Sequence, residues 1–365
     1  VLGLERRTAI TCDLLRREPW NLFLTAIGEA HTAQHYFWHL SQKDHPLHKI
    51  TAKPDEDPLL EFFEATDEAL GKMIDAAPED AHIIVFSAHG MGHNSTDLLS
   101  MVMLPEFLYR FSFPGKSILK PGKFHDSMPP VYPPNHQENW YRQIPKLKQD
   151  PASVRFRKSL LKPFDPILPG RLKHYAAKLL GVGEPPLSYH PTSWYHPYWH
   201  KMKAFALPGF SDGYIRLNVK GRESHGIVAP EDYQEVCDEI IAELSQLKDA
   251  RTGRPVVKGI ERIRKDPMDS NPKLPDSDLA VMWEDWAVDT VEHPKHGRIG
   301  PLFFNRSGGH RGRGFITIKG PGIEAGSSLD EGHAVDIAPT ILELMDAPIP
   351  SYMDGKPLLS NKVIA

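Results

Sequence analysis

Histidine is in surplus in this sequence, 19 among 365 residues. It is the commonest metal ligand among side chains and the one that titrates near neutral pH. Three groups of histidines lie in loops beside segments that read as strands. The first is Gly28-Glu29-Ala30-His31-Thr32-Ala33-Gln34-His35, after an apolar run at 22–27. His31 and His35 are spaced i,i+4, so on a helix both imidazoles fall on one face, one turn apart, able to hold one ion. His39 continues the stripe. The second group is Ser87-Ala88-His89-Gly90-Met91-Gly92-His93-Asn94, after the run HIIVFS. The third is Gly308-Gly309-His310-Arg311-Gly312-Arg313-Gly314, ahead of FITIK. Glycines beside such residues let the backbone approach a ligand closely. Histidine with carboxylate or water, and no cysteine, suits Zn, Mn or Fe better than a Cys-type structural zinc. A His pair at i,i+4 is by itself also the mark of a hydrogen-bonding pair; the similar placement of three loops favours the metal.

These loops need a scaffold, and the pattern supplies an alternating one. Residues 22–27 (LFLTAI) and 82–87 (HIIVFS) read as short buried strands. Residues 57–76 carry apolar side chains at helical spacing with acids early, so a helix is expected, followed by another over 96–110. Strand, helix, strand in this rhythm indicates an α/β fold with a largely parallel central sheet flanked by helices. Ligands of such sheets bind outside the carboxyl ends of the strands. After an interruption the rhythm resumes with strands at 214–219, 279–283 and 315–319. Helices follow at 231–247, opened by Pro230, and at 335–346.

The interruption covers 111–200. Fifteen of the 34 prolines fall between 111 and 197, with pairs at 129–130, 133–134 and 185–186. Proline lacks an N–H and fixes φ, so this is not sheet core. Trp140, Tyr141, Trp194, Tyr195, Tyr198 and Trp199 mark it as an ordered insertion or cap, with one helix near 171–181. Those aromatics either pack the insertion on the main domain or wall a substrate pocket. The expected division is therefore 1–110 as the first part of the α/β domain, 111–200 as the cap, and 201–365 as the remainder.

Composition removes other classes. A net charge of −4 gives no electrostatic footprint for duplex nucleic acid. No run of about 18 apolar residues exists to span a membrane. Cys12 and Cys237 read as reduced, buried fillers. Val1 rather than Met opens the sequence, and no targeting segment follows it, so compartment stays open. Arg216 and Asn218, with Arg222 in Lys220-Gly221-Arg222-Glu223, follow a strand; they suit an anionic substrate or a hairpin with solvated charges equally. Arg306, Arg311 and Arg313 offer the paired donors that bind phosphate or sulfate oxygens. His45, His48, His125, His136, His174 and His293 read as ordinary surface or packing residues.

Together the loops resemble the alkaline phosphatase superfamily, in its type I phosphodiesterase/nucleotide pyrophosphatase-like branch, with sulfatases as relatives. LFLTAIGEAHTAQHYFWHL resembles the family's strand-then-metal segment, and IIVFSAHGMG its strand ending in Asp-His-Gly. SGGHRGRGFITIKGPGI resembles its late Gly-His-Gly segment. DIAPTILELMDAPIPSYMDGKPL is similar to its closing helix and loop, and YIRLNVKGRESHGIVAPEDY also resembles the branch. The resemblance implies one metal site at His31, His35 and His310, with His31 where Asp is usual. It implies a second site of which only His89 matches, because Ala88 stands where Asp is usual; His93 or Glu29 would have to compensate.

The family's first strand, its Asp and its Ser/Thr nucleophile lie ahead of every matched segment. The expectation is that they are absent from this chain, as in a truncated, processed or degenerate member, and that the missing segment is a possible partner chain. The function implied is metal-dependent hydrolysis of a small phosphate ester, as a phosphodiesterase or phosphatase, with zinc first and Mn, Fe or Ca as other ions. Two alternatives stand beside it. One is a sulfatase, though the helical context of Cys12 (AITCDLLRR) lacks the Cys-x-Pro-x-Arg pattern. The other is a non-catalytic binding protein that kept the fold.

Overall fold

The computed structural model describes residues 1–123, 140–149, 152–161, 163, 169–180 and 190–359. Helices α1 (Leu2–Arg17), α2 (Gly28–Ser41), α3 (His48–Thr51) and α4 (Pro58–Ala76) come first, then strands β1 (Ile83–Ser87) and β2 (Gly90–His93). A π-helical turn, Leu99–Met103, runs into α5 (Leu104–Ser112), with α6 (Trp140–Gln143), α7 (Ala152–Leu161) and α8 (Gly170–Leu179) beyond it. Strands β3 (Ala204–Ala206) and β4 (Gly213–Leu217) precede α9 (Tyr233–Leu244). Then come β5 (Lys248–Asp249), β6 (Val257–Arg262), β7 (Leu279–Trp283), β8 (Val291–His293) and β9 (Gly297–Ile299). Strands β10 (Gly308–Arg311) and β11 (Phe315–Lys319) and helix α10 (Ile337–Leu344) close the order.

The chain forms two compact units. The first takes residues 1–44, 48–92 and 307–365. Its small core joins Leu4 of α1, Ala33 of α2, and Leu59, Phe62 and Ala69 of α4. Helix α4 forms where the apolar period predicts it, and its start is specified chemically. Pro58 sits in the first turn, where a missing N–H costs nothing, and the Asp57 carboxylate accepts the Leu60 N–H at 3.0 Å. The same carboxylate accepts the Ser41 hydroxyl, tying the end of α2 to the start of α4. Strand β1 pairs antiparallel with β11, Ile83 opposite Lys319 and Ser87 opposite Phe315, and β2 pairs with β10.

The second unit takes residues 45–47 and 93–306. Its sheet has the order β3-β4-β7-β6, antiparallel at every pairing. Ile215, Leu217, Leu279 and Val281 are fully buried, with Phe107 of α5 and Tyr233, Cys237 and Ile240 of α9 in the same core. Trp140, Trp194 and Tyr195 belong to that core too, so these aromatics of 111–200 are packing residues. Cys12 and Cys237 are free and buried. Among the described residues no helix is long and apolar enough to cross a membrane.

Two expectations change. The fold is mixed α/β, but the sheets are small and every strand pair with a defined register is antiparallel, so a largely parallel central sheet is not what the described residues form. The connections explain part of this: β3 to β4 and β8 to β9 are joined by short links, which antiparallel neighbours accept and parallel ones do not. The run at 22–27 is not a strand. It is extended and irregular, with Leu22 46% and Leu24 71% exposed, and it has no strand beside it among the described residues. The paired prolines at 129–130, 133–134 and 185–186, His125 and His136, and the side chains of Tyr141 and His174 lie outside the described residues.

Candidate metal centre

The histidines of the first unit converge. His31 and His35 stand one turn apart on α2, as their spacing predicts, with Nε2 atoms 3.1 Å apart. Strand β10 carries His310 to them, its Nε2 3.2 Å from that of His35. His89, in the turn between β1 and β2, stacks on His310 with ring centroids 4.2 Å apart and lies 5.4 Å from the ring of His31. A ligand atom from each of His31, His89 and His310 falls within 4.8 Å of the others. His35 is buried while His310 is exposed, so the cluster has a closed floor and an open side.

Backbone chemistry aims the central ring. His35 Nδ1 lies 2.7 Å from the Gly308 carbonyl oxygen. A carbonyl only accepts, so Nδ1 carries the proton and the Nε2 lone pair faces His31 and His310. Metal-binding histidines are usually oriented in this way through their other nitrogen. Gly308 is required there, since a Cβ would collide with the Gln34 carbonyl oxygen of α2. Ser307 makes the neighbouring tie: its N–H donates to the His35 carbonyl at 2.9 Å, and its hydroxyl meets His39 Nδ1 at 2.8 Å. Burial pushes His39 down to about 4, with His48 adding to the effect, so that ring is neutral at pH 7. His39 and Ser307 were not singled out by the sequence as positioning residues. The His39 stripe and the serine beside Gly308 were the available signals.

The remaining candidates are placed elsewhere. The Glu29 carboxylate pairs with Arg7 of α1 at 3.0 Å, and the Arg7 guanidinium holds it below the usual carboxylate range. An open hollow of about 700 Å³ beside that pair is lined by Val1, Thr32, Tyr36 and Phe37 among others, and by none of the four histidines. The His93 ring packs 5.1 Å from His45. Ala88 supplies no donor atom. Arg311 follows His310 in β10, so strand alternation turns it to the other face. Its guanidinium lies against Gly92, and Nη1 donates to the His310 carbonyl at 2.8 Å.

Arg216, Asn218 and Arg222 belong to the second unit, and their donors are engaged inside it. Arg216 pairs with Glu223 at 2.6 Å. The Asn218 amide donates to the Trp199 and Met202 carbonyls at 3.0 and 3.1 Å. Arg222 grips Asp278 through Nη1 at 2.7 Å and Nη2 at 2.6 Å. Arg306, in the same unit, pairs with Asp97 at 2.8 Å.

A second group, Glu243, His293 and His296, also gathers three potential ligand atoms. Its lone pairs are committed only in part, since Glu243 Oε2 and His296 Nε2 are buried with no hydrogen-bond partner among the described residues. His293 Nδ1 accepts the N–H of Lys295 and of His296 at 3.1 and 3.2 Å, so Nε2 carries the proton it gives to the Glu243 carbonyl at 3.0 Å. Lys295 holds the Glu243 carboxylate. Both groups are candidates by their geometry, and the sequence resemblance falls on the first.

A family model described as Type I phosphodiesterase / nucleotide pyrophosphatase matches residues 4–302. That span contains His31, His35 and His89, and His310 lies beyond its end. No curated protein and no solved structure matches the chain. The matched span covers most of the sequence and reaches into both units, so the match is not a local motif. The chain belongs to the type I phosphodiesterase/nucleotide pyrophosphatase family, a family of phosphoester hydrolases in the alkaline phosphatase superfamily.

Proposed function

We propose that the protein is a metal-dependent hydrolase of phosphate esters, with a divalent ion, zinc first, held by His31, His35 and His310 and with His89 beside them. One observation carries this reading: three imidazole Nε2 atoms from two separate elements stand 3.1 and 3.2 Å apart. Ligands at about 2.0–2.1 Å around a tetrahedral zinc are separated by roughly 3.3–3.4 Å, so the donor set fits the ion. When bound, such an ion lowers the pKa of a nucleophile and holds the oxygens of an in-line displacement.

The chain's own residues prepare the place. Gly308 fixes the His35 tautomer through its carbonyl, so no proton has to leave Nε2 first. Ser307 clamps α2 to the backbone next to β10, which keeps His31 and His35 in step with His310. The exposed side at His310 admits an anionic ester, while buried His35 closes the opposite side to water.

Turnover of a nitrophenyl phosphodiester, a phosphomonoester and a sulfate ester by the full-length protein, measured side by side, tests the proposal. Phosphate ester hydrolysis should fall roughly 100-fold or more on chelation and in His35→Ala, since even the outer partners of metal ligands are worth about 10–100-fold. Activity untouched by both changes would show that the cluster is not the working centre. Turnover of the sulfate ester alone would point to the sulfatase branch.

A further inference from the structure

We propose that Glu243 and His296 make a metal site of their own within the second unit, one that takes a late first-row divalent ion, zinc first, and pins helix α9 to the turn between β8 and β9. The proposal does not depend on the hydrolase reading or on the histidines of the first unit.

Two orphaned atoms carry it. Glu243 lies in the last turn of α9, and His296 in the turn between β8 and β9. Glu243 Oε2 and His296 Nε2 are buried, and neither has a hydrogen-bond partner among the described residues. The side chain of His296 is 9% exposed and that of Glu243 11%. A buried polar atom left without a partner costs free energy, and these two stand 3.3 Å apart without bonding each other. Ligands at about 2.0–2.1 Å from a tetrahedral zinc are separated by roughly 3.3–3.4 Å, so one ion can meet both. An imidazole nitrogen beside a carboxylate oxygen is a donor pair that zinc accepts.

The surroundings hold both groups in place. The His296 ring stacks on that of His293, with centroids 4.7 Å apart, and meets the Phe107 ring edge-on at 5.2 Å. Arg110 donates to the His296 carbonyl at 3.1 Å. His293 acts here as a positioning residue. Its Nδ1 accepts the N–H of Lys295 and of His296, and its Nε2 donates to the Glu243 carbonyl at 3.0 Å, so one ring fixes both the turn and the end of α9. Burial pushes His296 below the ordinary histidine range, which favours the neutral ring that binds metals. The Lys295 ammonium holds the other carboxylate oxygen, Oε1, and is the cation an arriving ion competes with. Its side chain is 68% exposed, so it can leave without disturbing the core. With two protein ligands and solvent for the rest of the shell, the site fills at excess zinc.

Zinc content per chain, followed by native mass spectrometry of the full-length protein through a zinc titration, tests the proposal. His296→Gln should bind one ion fewer than the unaltered protein. In Lys295→Gln the last zinc to bind should bind at least about tenfold more tightly, because a positive charge beside it has gone. A merely structural Glu243–Lys295 pair would give lower stability in that variant and no gain in zinc affinity. Melting temperatures of the metal-free proteins serve as the folding control, and exposed Lys295 decides the matter even where His296→Gln does not fold. Equal zinc content in the unaltered protein and His296→Gln, or a Lys295→Gln affinity unchanged or lowered, would overturn the proposal. Either result would leave the hydrolase reading intact, since that reading is tested by His35→Ala.

Discussion

At the scale of single residues, the proposed centre depends on positions outside its ligand set. Gly308 is one: a Cβ there meets the Gln34 carbonyl oxygen and stands 3.1 Å from Trp38 Cβ. Gly308→Ala should cost about 1–3 kcal/mol, as overpacking typically does, and should weaken cobalt binding because the carbonyl that aims His35 moves with it. Denaturant unfolding and a metal titration of the same variant check both effects. His39 gives a pH prediction. Its folded value of about 4 lies below the ordinary 6.5 of an unfolded histidine. The unfolded chain therefore binds the proton more readily. The stability His39 contributes is complete above about pH 6.5 and drains as the pH falls towards 4, a difference of about 3 kcal/mol. Urea midpoints between pH 7.5 and 4.5 should fall less steeply in His39→Gln; parallel curves would refute the assignment. Of the site residues, His31 and His35 were legible from helical spacing, and His89 and His310 from their loops beside strands. The pairing that engages the candidate Glu29 was not, because its partner Arg7 lies 22 residues away and no local pattern announces the pair.

At the scale of elements, legibility followed period and punctuation. Helix α4 was readable because an apolar stripe, an early proline and an acidic cap agree. Asp57→Ala should lower stability by about 1 kcal/mol, the usual worth of such a cap. It should do so more than Asp57→Asn, which keeps an acceptor for Leu60; thermal melts separate the two. The runs of β1, β7 and β11 were readable as strands, but the direction of their partners was not. Periodicity specifies which face is buried and says nothing of which neighbour supplies the hydrogen bonds. Residues 22–27 show the same limit from the other side, since a short apolar run has equal claim to a strand or to an extended connector. Burial decides it, and Leu24 is mostly exposed.

At the scale of the molecule, two units with different stabilising chemistry share one chain. The first has a small apolar core and the histidine cluster. The second is built around the large core and a buried polar knot. Fully buried Asp278 accepts from Arg222, from the Tyr233 hydroxyl at 3.0 Å and from the Leu217 N–H at 2.6 Å. Asp278→Ala should cost about 3–5 kcal/mol, because it strands a buried guanidinium, and should appear in denaturant unfolding as loss of the second unit.

The proposed centre stands or falls on imidazoles of α2 and β10 holding a metal ion. X-ray absorption at the zinc edge of the zinc-loaded protein tests this most directly. A shell containing about three imidazole nitrogens at about 2.0 Å is expected, with an outer-shell ring pattern that weakens in His31→Ala and collapses in His35→Ala. A zinc shell of oxygen scatterers without imidazole, unchanged by either substitution, would contradict it.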